Sequence, residues 1–257
     1  MKNRTRLFGE GLFETFRVYR GGKLAFVDDH LDRMAEGCQF FALPFSRKQA
    51  LGALKAALDE VPADADARLR LTLISHGDHR AAKATFETTW APLQDMSAQQ
   101  GRGVRLTLAP FQRFSKSPLV RFKTTSYLEN IFVFTWARSE GFFDALFTNE
   151  RGQITEGSIT NVFFLSKGHT LTPPLEAGLL PGITRKQIIR VARTRGFSVR
   201  ESTVRPEDLR AFDGAFVTNS VIEVLPVCAV GDTHYPIPEM IQGIQEGYQE
   251  RVRASFW

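Results

Sequence analysis

The chain has 257 residues, enough for one large domain or two modest ones, each with its own core. Its 43% hydrophobic and 24% charged residues are the balance of a globular protein, and its net charge of +5 comes from scattered basic residues. Scattered charge argues against a nucleic-acid surface and suits an enzyme that handles anions. Two cysteines, Cys38 and Cys228, cannot build a disulfide framework, and no Cys/His pair has metal-ligand spacing, so no metal is expected. No apolar run has the length or flanks of a signal peptide or a membrane span. The expectation is a cytoplasmic protein with no membrane partner.

Residues 12–19 alternate apolar and polar as a half-buried strand does, and Gly21-Gly22 turns the chain back into residues 24–27. A helix carrying His30 and Arg33 is expected after Asp28-Asp29, and a second over about 48–58 with Ser46 before it. Strands follow at 68–75, 84–92 and 104–109. Residues 1–109 thus read as a small N-terminal α/β domain, in an α+β chain. Pro110 to Pro118 breaks the pattern, so residues 110–119 read as a linker. Residues 120–257 read as a larger C-terminal α/β domain. It opens with a helix over 127–139. A meander follows, with strands at 144–148, 153–154 and 160–165 and a turn at Asn149-Glu150-Arg151-Gly152. A helix over 184–195, a strand–helix pair within 197–212 and strands at 215–217 and 224–230 complete the expected elements.

Glu156-Gly157-Ser158-Ile159-Thr160-Asn161 puts a carboxylate and polar side chains just before an apolar strand. Leu180-Pro181-Gly182-Ile183-Thr184-Arg185 is a glycine turn that opens a helix. Such a turn aims free N–H groups and the positive end of the helix dipole at an anion, typically a phosphate. Thr218-Asn219-Ser220 offers further N–H and hydroxyl donors, and the two turns together could bracket one phosphate. Lys123 lies upstream, with Tyr127 four residues on as a hydrogen-bond donor. A lysine, a ring-nitrogen acid and a phosphate cup are the parts that pyridoxal phosphate chemistry needs. Asn161, at the start of an apolar strand, is expected to bond nearby backbone or to hold Glu156. The basic stripe Arg185, Lys186, Arg190, Arg193 and Arg195 reads as a solvated helix face.

These strings resemble the class IV, or fold type IV, pyridoxal-phosphate enzymes, which include branched-chain and D-amino-acid aminotransferases and 4-amino-4-deoxychorismate lyases. The likeness runs from Phe8-Gly9-Glu10 to Val230-Gly231-Asp232. It implies a small N-terminal and a larger C-terminal domain with the cofactor in the cleft between them, and a homodimer. It implies that Lys123 forms the Schiff base and shuttles the proton, and that Glu156 binds the pyridine nitrogen. Arg33, in His30-Leu31-Asp32-Arg33, would bind phosphate with Ile183, Thr184 and Ser220. The strand bearing Phe13, Thr15 and Arg17 would line the substrate side, and Arg17 or Arg80 would receive the carboxylate of a small anionic amino-acid-like substrate. Thr15 in Phe13-Glu14-Thr15 resembles the lyases, as does the short chain. The lyase is the favoured reading, with an aminotransferase of D-amino-acid or branched-chain type beside it. A non-catalytic binding protein on the same scaffold is least favoured, because Lys123 and Glu156 are both present.

Overall fold

The structure, a computed structural model, describes residues 2–78 and 83–257. They fall into two compact units: residues 2–78, 83–94, 122–127 and 252–257 in the first, and residues 95–121 and 128–251 in the second.

In the first unit a short helix, α1 (Arg4–Phe8), precedes a four-stranded antiparallel sheet. Its strands are β1 (Gly11–Tyr19), β2 (Lys23–Leu24), β3 (Ala67–His76) and β4 (Lys83–Pro92), in the order β2-β1-β3-β4. Helices α2 (Val27–Phe40) and α3 (Arg47–Leu58) lie between β2 and β3 in the chain. Asp28 and Asp29 fall in the first turn of α2, where acids complement the helix dipole, and the Ser46 side chain caps α3. Strand periodicity sorts the side chains by face. Leu12, Phe16 and Val18 join Leu69, Leu71 and Leu73 in one core with Leu31, Met34 and Leu54 from the helices. The other face carries Phe13, Thr15 and Arg17 in register with Thr72, Arg70 and Arg68.

The second unit begins with α4 (Ser97–Arg102), β5 (Val104–Arg113), α5 (Pro118–Arg121) and α6 (Leu128–Ser139). Strands β6 (Asp144–Asn149), β7 (Ile154–Gly157), β8 (Asn161–Ser166) and β9 (His169–Thr172) lead to α7 (Ile183–Thr194). Then come β10 (Ser198–Glu201), β11 (Gly214–Asn219), β12 (Glu223–Val230), β13 (Thr233–His234) and α8 (Glu239–Ala254). The strands form one mixed sheet ordered β10-β9-β8-β11-β12-β5-β6-β7, with β13 on β12. Val162, Phe164, Ala215, Val217, Leu225 and Val227 anchor its core. Their neighbours at alternate positions, Asn161, Phe163, Phe216 and Thr218, point to the opposite face, where Phe163 and Phe216 stack at 4.8 Å.

The boundaries differ from the expected ones. Residues 95–109, expected in the N-terminal domain, belong to the second unit, because β5 pairs in parallel with β12 and β6. Residues 110–113 of the expected linker continue β5, with a register shift between Leu108 and Gln112, and a bulge is a place where a strand tolerates proline. Phe122–Tyr127 belongs to the first unit: Phe13 N donates to Lys123 O at 2.9 Å, and Thr125 N to Gly11 O at 2.9 Å. Val252–Trp257 also belongs there, with Trp257 N donating to Leu24 O at 2.9 Å. Helix α8 lies beyond the last expected element, although Ile241, Ile244, Tyr248 and Val252 recur at helical spacing and are all buried.

Candidate active site

In the first unit a buried carboxylate organises the α2 side chains. Glu14, on β1, is 1% exposed. Its Oε1 accepts from Arg33 Nε at 2.8 Å and its Oε2 from Arg33 Nη2 at 2.5 Å, the two-pronged geometry that suits a guanidinium. His30 Nδ1 meets Oε2 at 2.7 Å. Burial opposes ionisation of Glu14, but Arg33 and His30 outweigh it and bring its pKa to about 2. Burial pushes His30 down, against the pull of Glu14, with Arg33 and Lys123 adding to the depression. The i, i+3 pair His30 and Arg33 therefore acts on one acid sixteen residues earlier in sequence than His30.

Lys123 and Tyr127 are half-buried on the Phe13 side of the unit. Lys123 Nζ lies 4.5 Å from the Phe13 ring centre and 5.5 Å from that of Tyr127, and the two rings meet edge to face at 5.1 Å. The Arg70 guanidinium sits 3.6 Å from the centre of the same Phe13 ring, with Nε donating to Thr72 Oγ1 at 3.2 Å. Burial pushes Arg70 down from its usual value, opposed by Tyr127 and aided by Arg68. Arg70 was not among the sequence candidates. Its one signal was alternation with Arg68 on a strand, which places both on the Phe13 face. Arg17 shares that face but is engaged by Asp66, to which Nη2 donates at 2.6 Å. Arg80 lies outside the described residues.

In the second unit Glu156, at the end of β7, is 6% exposed. Its Oε1 accepts from Arg113 Nη1 at 3.2 Å, and its Oε2 from Asn161 Nδ2 at 3.2 Å and Leu180 N at 3.0 Å. Arg113 Nη2 donates to Asn130 Oδ1 at 2.6 Å. Asn161 Nδ2 also reaches Leu180 O at 3.1 Å, so it holds both the acid and the backbone of the glycine turn, as expected. That turn leads through Gly182 into α7, so the N-cap residue has no side chain with which to cap the helix. A Cβ on Gly182 would lie 2.0 Å from Asn161 Oδ1, so only glycine lets turn and asparagine approach this closely. Thr184 is 2% exposed, with its hydroxyl 3.4 Å from Tyr248 Oη. Asn219 Oδ1 accepts from Val221 N at 2.8 Å and Ile222 N at 2.9 Å, shaping the turn that carries Ser220.

Arg113 and Asn130 also went unforeseen, the first because it lay in the expected linker. The basic stripe needs a correction. Lys186, Arg190, Arg193 and Arg195 are exposed, but Arg185 is 5% exposed and donates to Pro173 O at 2.9 Å and to Glu201 at 3.1 Å. A helical period brings only part of a five-residue set to the solvent side.

These residues suit a phosphorylated pyridine cofactor. Glu156 is a buried acceptor, α7 opens on Gly182, which has no side chain to cap it, behind a turn that a Cβ would block, and the fully buried Thr218 Oγ1 has no hydrogen-bond partner among the described residues. A family model described as amino-transferase class IV matches residues 11–230, and the chain belongs to that family of pyridoxal-phosphate enzymes. An aminodeoxychorismate lyase of Bacillus subtilis is 29% identical over 241 residues, 89% of this chain and 80% of that protein. A D-alanine aminotransferase of Bacillus licheniformis is 25% identical over 240 residues, 90% and 82% of the two chains. The crystal structure of a branched-chain aminotransferase from Thermoproteus uzoniensis with norvaline superposes with a TM-score of 0.85 at 25% identity, covering 99% of this chain and 92% of that one. The fold is that of the fold type IV enzymes. Among the described residues no helix is long and apolar enough to cross a membrane, and no cluster of side chains could hold a metal ion.

Proposed function

We propose that this enzyme uses Lys123 to act on a small amino-carboxylate, as a 4-amino-4-deoxychorismate lyase that releases pyruvate and 4-aminobenzoate. When bound, pyridoxal phosphate supplies an aldehyde that condenses with amines and a ring that withdraws electrons from the neighbouring carbon. Lys123 holds the cofactor and, once released, moves the proton at the substrate carbon. Glu156 accepts the hydrogen bond of the ring nitrogen, and Asn161 and Arg113 keep its carboxylate in place. Tyr127 donates to the phenolic oxygen. Arg33, the N–H groups from Gly182 to Thr184, and the Asn219-Ser220 turn take the phosphate. Phe13 and Thr15 line the substrate side.

The observation that carries this reading is the pair of cations on one ring, Lys123 Nζ at 4.5 Å and Arg70 at 3.6 Å from the Phe13 centre. A carboxylate received by Arg70 leaves the substrate amine and the carbon that bears it beside Lys123. Arg70 thus becomes the first candidate for that role, ahead of the Asp66-paired Arg17. Similarity to the Bacillus subtilis lyase supports the lyase reaction, and similarity to the D-alanine aminotransferase supports an aminotransferase as the second reading. A homodimer is part of the proposal. It is supported by the apolar face of α6, where Leu128, Ile131 and Phe132 are 81%, 48% and 55% exposed. So is a cytoplasmic setting, supported by two cysteines that are both free.

Borohydride reduction of the holoenzyme and peptide mapping should place the pyridoxyl group on Lys123, and a label on another lysine overturns that assignment. A panel of aminodeoxychorismate, D-alanine and L-leucine, the last two with 2-oxoglutarate, separates the reactions. Pyruvate and 4-aminobenzoate from the first support the lyase; glutamate from the others alone supports the aminotransferase. Sedimentation should give twice the chain mass, and a monomer overturns the dimer.

A further inference from the structure

Asp144 opens β6 with no exposed surface, and the reading above gives it no role. Its carboxylate collects five donors. Oδ1 accepts from Ala145 N at 2.8 Å, from Ser158 N at 3.0 Å and from the Ser158 hydroxyl. Oδ2 accepts from Thr160 Oγ1 at 2.8 Å and Ile159 N at 3.4 Å. Four of the five come from Ser158-Ile159-Thr160, the turn between Glu156 and Asn161. The turn is closed by Gly157 N donating to Thr160 O at 2.7 Å. A Cβ on Gly157 would lie 2.4 Å from Asp144 Oδ2 and 2.2 Å from Thr160 Oγ1, so the acid fills the inside of the turn.

The outer carbonyls of the same turn are used as well. Asn130 Nδ2 donates to Ser158 O at 2.7 Å, and the other end of Asn130 accepts from Arg113, the cation paired with Glu156. Asn219 Nδ2 donates to Ile159 O at 3.1 Å, and Asn219 shapes the Ser220 turn. One carboxylate therefore fixes the backbone to which Glu156, Asn161, the Arg113 support and Asn219 are all tied. A buried carboxylate is costly unless its lone pairs are filled, so each donor it holds is held firmly in return.

We propose that Asp144 is a positioning residue of the reaction: through the Gly157–Thr160 turn it holds Glu156 against Arg113. The proposal rests on the reading of Glu156 as the ring-nitrogen acid. It predicts that Asp144 affects cofactor and turnover through Glu156, and that its influence vanishes when Glu156 can no longer do its work.

The test is a double-variant cycle with Asp144→Asn and Glu156→Gln, repeated with Thr160→Val, which deletes one donor and leaves the Asp144 charge in place. Three quantities are read: the dissociation constant of pyridoxal phosphate from titration of the apoprotein, kcat and KM at saturating cofactor, and the thermal midpoint of the apoprotein. Asp144→Asn should raise the dissociation constant and lower kcat by roughly tenfold or more, with KM for the amino substrate changed less than about twofold. Thr160→Val should move both in the same direction by a few-fold. In the Glu156→Gln background neither substitution should change them further. Equal effects in both backgrounds, or parent-like constants in Asp144→Asn and Thr160→Val alike, overturn the proposal. So does a lowered midpoint with kcat fully restored at saturation. If Asp144→Asn does not fold, the Thr160→Val cycle decides alone. A parent chain that takes up no pyridoxal phosphate overturns the functional reading and this assignment with it; a parent that binds while the variants match it overturns this assignment only.

Discussion

Glu14 in the first unit and Asp144 in the second are both fully buried carboxylates, and they respond to burial in opposite ways. Glu14 has a guanidinium on both oxygens and an imidazole beside one, and its pKa falls to about 2. For Asp144, burial is the largest influence and pushes its pKa up, while hydroxyl and amide donors from Ser158, Thr160, Ala145 and Ile159 pull against it. Desolvation penalises the charged form wherever a carboxylate is buried, and a full opposite charge offsets it far better than neutral dipoles do. The roles differ accordingly. In the first unit the carboxylate serves the cation, holding Arg33. In the second, Arg113 serves the carboxylate Glu156, and Asp144 serves the backbone.

The comparison breaks most visibly at Glu156. Glu156→Gln should leave the cofactor bound but lower turnover by about 10²–10³, because an amide no longer matches the charge on the ring nitrogen. Steady-state kinetics at saturating cofactor checks this, and near-normal kcat refutes it. Glu14→Gln should destabilise the chain by about 3–5 kcal/mol in denaturant unfolding, since it leaves Arg33 as a buried cation without its counter-charge. A loss below about 1 kcal/mol would mean that Arg33 is not held by charge.

The acid limb of stability sharpens the same contrast. The folded pKa of Glu14 lies below its ordinary value of 4.5, so its contribution is present above about pH 4.5 and is lost as pH falls towards about 2. Unfolding free energy measured over that range should fall more steeply in the parent than in Glu14→Gln; equal slopes would assign the acid sensitivity to other groups. The smallest expected effect is at the substrate face. Arg70→Ala should lower kcat/KM by about tenfold or more, whereas Arg17→Ala, with its guanidinium already committed to Asp66, should change it less than about threefold. Reversal of that order would return the carboxylate role to Arg17.

Local pattern made much of this molecule legible. The alternating strand at residues 12–19, the strand expected at 68–75, the Ser46 cap and the acids at the start of α2 appear where the sequence placed them. The bulge in β5 hid the far half of a strand, because Pro110 reads as a break unless the pairing partner is known. Among the site residues, Glu156 and Asn161 were legible together because only five positions separate them, and their side chains do meet. The Arg113–Glu156 pair spans 43 positions and Asp144–Ser158 spans 14, and no local period links such residues.

By itself, then, the sequence determined which groups could carry the chemistry: a lysine, an acid before a glycine, a glycine turn that opens a helix, and an arginine one helical turn after a histidine. Those are properties of residue type and short spacing. Tertiary structure alone decided what holds each group in place: Glu14 for Arg33, Arg113 and Asn130 for Glu156, Asp144 for the turn between Glu156 and Asn161, and the Phe13 ring for Lys123 and Arg70. A buried charge must find its partners wherever folding brings them within about 3 Å, and strand register and helix packing, not proximity in the chain, set which residues those are.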